Sequence, residues 1–184
     1  HVGPVIDREA KDKLDTHGAR MRREAKTVLA GTLPANETAD GHFVAPHIFE
    51  LNRVEDLTEE VFGPVLHVVR WKADRMDART PRGLHALLDS IRASGYGLTM
   101  GLHSRIDTTA EIVTARSPAG NLYINRNIIG AVVGTQPFGG SGLSGTGPKA
   151  GGPNYLKRFA TEQVVSINTA AAGGNASLVA MSEE

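Results

Sequence analysis

The chain has 184 residues, 20 basic and 20 acidic side chains, a formal net charge of zero, and 40% hydrophobic residues. That length suits one domain burying about 70% of its unfolded surface, and the even charge leaves no basic field to hold nucleic acid or an anionic membrane. There is no cysteine, which excludes disulfides, thiolate metal sites and a cysteine nucleophile within this chain.

Asp7 is placed to cap a helix whose apolar positions Ala10, Leu14 and Met21 fall near one face, with Glu9 and Lys13 four apart in the favourable order. Lys26 to Gly31 and His42 to Leu51 are rich in β-branched and aromatic residues and read as strands, joined by the polar run Pro34 to Gly41. Val61 to Trp71 reads as a third strand, interrupted near its start by Gly63-Pro64. Thr80-Pro81 supplies a cap and a first-turn proline to a helix carrying Leu84, Leu87, Leu88 and Ile91, and Gly95 ends it. Tyr96 to His103 reads as a strand, Asp107 as the cap of a short helix through Ile112 and Arg116, and Gly120 to Asn125 as a strand again. This alternation predicts parallel crossovers in an α/β sheet, with ligands beyond the carboxyl ends of its strands. A last strand, Val164 to Thr169, precedes an Ala/Gly-rich tail.

No apolar run approaches a membrane span and the first residues resemble no signal peptide, so a cytoplasmic protein is expected. The seven histidines include no H-x-x-x-H pair and are read as surface or core residues, with no metal expected.

Nine of the 21 glycines lie between Gly130 and Gly152. Gly140, Gly142 and Gly145 spell G-x-G-x-x-G, but Gln136-Pro137-Phe138-Gly139 stands where a buried strand is required and Thr146-Gly147-Pro148 where a helix should start. A Walker loop fails too, because Pro148 follows Gly147 in place of lysine. The run begins just after a strand and is placed to line a site.

Three ordered segments carry a resemblance: Glu60-Val61-Phe62-Gly63-Pro64-Val65, Tyr96-Gly97-Leu98-Thr99, and Gly130 to Gly140 ending in Gln136-Pro137-Phe138-Gly139-Gly140. Together with Val2-Gly3-Pro4-Val5-Ile6-Asp7 they resemble the C-terminal part of an NAD-dependent aldehyde dehydrogenase. The stretch from Gly130 through Pro153 is similar to the glutamate-semialdehyde dehydrogenases, and Ala170 to Leu178 resembles the end of the bacterial bifunctional proline-utilisation proteins. In those proteins an FAD-dependent proline dehydrogenase precedes the aldehyde dehydrogenase. Alternatives are a monofunctional semialdehyde dehydrogenase and a non-catalytic module of the same fold.

The resemblance implies an α/β aldehyde dehydrogenase catalytic domain, with an open, mostly parallel sheet and flanking helices, over residues 1–160. It implies an oligomerisation strand over 161–169, hence a homo-oligomer of two or more subunits, and a C-terminal tail over 170–184. An intramolecular edge strand is the competing reading of Val164 to Thr169; the tail is either disordered or a cover for the route between two active sites.

In the family a thiolate attacks the aldehyde, hydride passes to NAD, and glutamate-assisted hydrolysis releases the acid. The family's nucleophile and glutamate base lie upstream of the segments matched here, so the chain is read as a piece of a longer protein that supplies positioning. By resemblance Glu60 accepts hydrogen bonds from the nicotinamide ribose and Phe62 packs against that ribose, whereas the plain reading is an exposed acid beside a core aromatic. Leu98 either flanks the nicotinamide or is a core leucine. Gly130 and Ala131 give backbone amides to the substrate carboxylate, and Phe138 forms an aromatic wall over its aliphatic stem.

Overall fold

The computed structural model describes residues 2–73, 82–132 and 134–168. Helix α1 (Arg8–Glu24) starts where Asp7 Oδ1 accepts from the Ala10 N–H at 2.8 Å, which satisfies one of the free donors of the first turn. Its wet face carries ion pairs four apart, including Lys13–Glu9 at 2.7 Å. The opposite face buries Leu14 and Met21, and between them His17 and Gly18.

This face covers a sheet ordered β1 (Lys26–Ala30), β2 (His47–Leu51), β3 (Val65–Val69). Strands β1 and β2 are antiparallel with an irregularity between Thr27 and Leu29, and β2 and β3 are parallel, with His47 opposite Val65 and Leu51 opposite Val69. Met21, Phe49 and Leu51 form the buried cluster, flanked by Leu57, Val65 and Val69. Complete burial of Phe49 contributes on the order of 2 kcal/mol of transfer free energy. The strand expected from His42 begins only at His47, because Pro46 has no N–H for the ladder; its carbonyl instead accepts from Gly31 at 2.9 Å. For the same reason β3 starts after Pro64.

Helix α2 (Arg82–Ala93) stops at Gly95, whose φ of +80° only glycine adopts without strain. The expected cap at Thr80-Pro81 lies outside the described residues. The strand expected over 96–103 is two strands, β4 (Tyr96–Gly97) and β5 (Thr99–Leu102), broken at Leu98. Strand β5 runs through α3 (Asp107–Arg116) into β6 (Asn121–Ile124) and is parallel to it, the crossover the alternation predicts. Leu84, Leu88 and Val113 make the second buried cluster, backed by Met100, Leu102, Ile112 and Leu122.

One expectation is corrected. Asp107 is the first residue of α3 and not its cap; the cap position is extended Ile106, with no side-chain bond, and Asp107 complements the helix dipole instead. Among the described residues the α/β architecture comprises three small sheets with both parallel and antiparallel pairs; the third pairs β4 with β7 (Ser141–Gly142). Residues 161–168 are exposed and lie outside every strand; Thr169 and the tail 170–184 fall outside the described residues.

Candidate functional site

The connection from β2 to β3 carries Glu60 and Phe62, and the break between β4 and β5 carries Leu98. An open groove of about 770 Å³ runs between these segments and is lined by Glu60, Leu98, Thr99 and His67 among others. Glu60 is exposed and makes no hydrogen bond or ion pair among the described residues, so its carboxylate is a free acceptor. Leu98 is 38% exposed and belongs to neither buried cluster. Phe62 is 86% exposed, so it is no core aromatic of this chain, and it does not line the groove. In the chain Glu60 precedes β3, and Leu98 lies between β4 and β5.

The glycine run follows β6. Gly130 has φ +68°, left-handed backbone that disfavours a side chain, and Ala131 is half-buried. Just beyond, Val132 O accepts from Thr135 N at 3.1 Å and Gln136 N at 2.9 Å, which closes a tight turn. Phe138 is half-buried and bridges Ala150. Among the described residues no helix starts at Gly145, and Gly142 sits in β7, so the G-x-G-x-x-G run lacks the helix start that a dinucleotide loop requires. Its glycines serve close backbone approach: a Cβ at Gly140 would lie 2.6 Å from Gly97 O and 2.9 Å from Leu98 Cα.

A second hollow of about 430 Å³ lies beside this run, bordered by Asn121, Tyr123, Arg126, Gln136, Pro137 and Lys149. The structure therefore brings Glu60 and Leu98 to one groove, while Gly130, Ala131 and Phe138 line neither hollow.

Three side chains near these hollows were not singled out from the sequence. Asn121 and Lys149 both bond the backbone around Phe138. His67, on the groove wall, meets His17 of α1 at 2.8 Å between their Nε2 atoms, one ring donating and the other accepting. Burial pushes both histidines below the ordinary value, helped by the Arg20 charge, while Glu59 pulls His17 the other way. The spacing of His17 three after Leu14 and four before Met21 places it on the apolar face, a signal legible in the sequence.

The sequence description of the aldehyde dehydrogenase family matches residues 1–165. The chain belongs to the aldehyde dehydrogenase family. Among relatives, it is 58% identical over 160 residues to the bifunctional protein PutA of Rhizobium meliloti, covering 87% of this chain and 12% of PutA. It also matches a crystal structure of a Bradyrhizobium japonicum proline utilization A (PutA) variant, with TM-score 0.77 and 61% identity, covering 93% of this chain and 16% of that one. A third match is the 1-pyrroline-5-carboxylate dehydrogenase from Thermus with bound NAD, with TM-score 0.69 and 35% identity, covering 85% of this chain and 28% of that one. This aldehyde dehydrogenase chain thus spans about an eighth of the length of the PutA relative.

Proposed function

We propose that the chain is part of an NAD-dependent dehydrogenase that oxidises L-glutamate γ-semialdehyde, the open form of 1-pyrroline-5-carboxylate, to L-glutamate. The supporting observation is 58% identity to a bifunctional PutA over 87% of the chain. The higher identity to the PutA structure, 61%, than to the separate 1-pyrroline-5-carboxylate dehydrogenase, 35%, favours a bifunctional parent over a monofunctional one. In that parent an FAD-dependent proline dehydrogenase stands elsewhere on the polypeptide. The protein acts in the cytoplasm as a homo-oligomer; no helix among the described residues is long and apolar enough to cross a membrane.

The residues present fit NAD on one side. Glu60 is a carboxylate without a partner among the described residues, on an open groove and suited to accept from two ribose hydroxyls, and exposed Phe62 offers a ring to the same sugar. NAD, when bound, supplies the hydride acceptor. Glu60 and Phe62 orient the ribose, and Leu98 shields the nicotinamide side of the groove from water. At the substrate end, Gly130 and Ala131 present amides to the carboxylate and Phe138 covers the aliphatic stem. The thiolate nucleophile comes from elsewhere in the longer protein, because this chain has no cysteine, and by resemblance the general base lies upstream as well.

The test is NADH formation from 1-pyrroline-5-carboxylate by the full-length protein, with the 184-residue chain as control. The reading requires turnover by the former and none by the latter. A full-length protein that binds neither NAD nor the semialdehyde would establish a non-catalytic module instead.

A further inference from the structure

The tripeptide Pro137-Phe138-Gly139 lies in irregular backbone apart from the bridge at Phe138, yet it leaves no main-chain polar group unpaired. Phe138 N–H donates to Ala150 O at 3.1 Å, and Phe138 O accepts from Ala150 N–H at 2.9 Å. The flanking groups are met by two side chains. Asn121, the first residue of β6, donates from Nδ2 to Pro137 O at 3.0 Å and accepts at Oδ1 from Gly139 N–H at 3.1 Å. Lys149 Nζ donates to Gly139 O at 2.8 Å, and Lys149 has no ion pair among the described residues. Pro137 has no N–H, so this accounts for every donor and acceptor of the three residues.

The arrangement also explains a neighbour. A Cβ at Gly120 would run into Gly139 O and stand 2.8 Å from Lys149 Nζ, so glycine there leaves room for the junction. An asparagine amide uses its donor and its acceptor on opposite sides of Phe138, which fixes rotation of the segment as well as its distance from β6. The lysine bond is charge-assisted and partly buried, hence stronger than an ordinary amide bond.

We infer that Asn121 and Lys149 are positioning residues that hold the Phe138 ring against the substrate stem. The inference rests on the reading of Phe138 as that wall. It assigns to two polar side chains the control of substrate fit through the ring that they hold. Holding a ring within a few tenths of an ångström needs support of this kind around it.

Lys149→Met keeps length and removes the donors; Asn121→Leu keeps volume and removes the amide. In the full-length enzyme each is expected to raise KM for 1-pyrroline-5-carboxylate by about tenfold while kcat changes by less than about threefold. Lys149→Arg, which keeps the donors, is expected to restore most of the KM. In a Phe138→Ala background, Lys149→Met should add no further change, because both act through one ring. Amide exchange read in parallel should show faster exchange at Phe138, Gly139 and Ala150 in Lys149→Met and Asn121→Leu. Unchanged exchange at those amides in both variants overturns the clamp, whatever the kinetics. Full additivity with Phe138→Ala overturns action through the ring. If Phe138→Ala alone leaves KM untouched while exchange still responds to the clamp variants, the wall reading has failed, and with it this assignment of substrate control. Should one clamp variant fail to fold, the other decides by the same measures.

Discussion

A single backbone angle separates two meanings of glycine at position 130. Its φ is +68°, yet a Cβ there would meet no atom within 4 Å, so a replacement is strained by conformation and not by crowding. Gly130→Val is therefore expected to shift the amides offered at 130 and 131 without disturbing either buried cluster. In the full-length enzyme, kcat/KM for glutamate semialdehyde should fall roughly tenfold or more, and that for propanal, which has no carboxylate, by much less. Equal losses would mean that the loop supports the fold and does not hold the ligand. Glu60 allows a parallel test. A neutral amide accepts more weakly than a carboxylate, so Glu60→Gln should raise KM for NAD about threefold to tenfold with an unchanged melting temperature. An unaltered KM for NAD would remove Glu60 from the cofactor site.

The contact between α1 and β3 carries a pH dependence. His17 and His67 share one hydrogen bond, with Phe49 beside His67 at 6.4 Å between ring centroids. Arg20 and Glu59 are the charges that bear on His17, and Arg20 and His17 those that bear on His67. Both rings bind protons less readily folded than unfolded, so the unfolded chain takes up more protons as pH falls below 6.5. The contribution is complete above 6.5 and is lost on descending through the lowered values. Amide exchange within residues 8–24 of the full-length protein, corrected for intrinsic rates, should show weaker protection at pH 5.5 than at pH 7.5. His67→Gln should flatten that difference, and a difference that persists unaltered would place its origin elsewhere.

Much of this scale was legible in the sequence where a local rule decides: the Asp7 cap, the 3.6-residue stripe of α2, and the glycine stop at Gly95. It was misread where partners distant in sequence decide. Tyr96 to His103 reads as one strand from its composition, but Gly97 pairs with Ser141 and Met100 with Leu122, and the chain breaks between them. Among site residues, Glu60 and Leu98 were marked by sequence motif, and their meeting in one groove needed the fold. Asn121 carried no motif and Lys149, inside the matched glycine run, no role of its own, because an asparagine opening a strand and a lysine among glycines have many ordinary uses.

Across the described chain, two buried clusters sit on two different sheets, and exposed apolar side chains are widespread. Val164, Val165 and Ile167 are 84%, 70% and 76% exposed in one short run outside every strand, a surface that we propose a neighbouring subunit's sheet edge covers. Removing residues 163–184 from the full-length protein is expected to lower the oligomeric state or its resistance to dilution. Light scattering that finds the same assembly at all concentrations would withdraw the interface proposal. The pairing of β4 with β7 has a different consequence, one of time. Its two strands are only two residues each and are separated in sequence by β5, α3 and β6, so closing this contact costs chain entropy while adding little buried apolar surface. The crossover β5–α3–β6 has nearer contacts and its own apolar cluster to reward it. In pulse-labelled refolding, amides of 99–124 should become protected first, and the glycine loop should close over Gly97 only after the strands beneath it are in place.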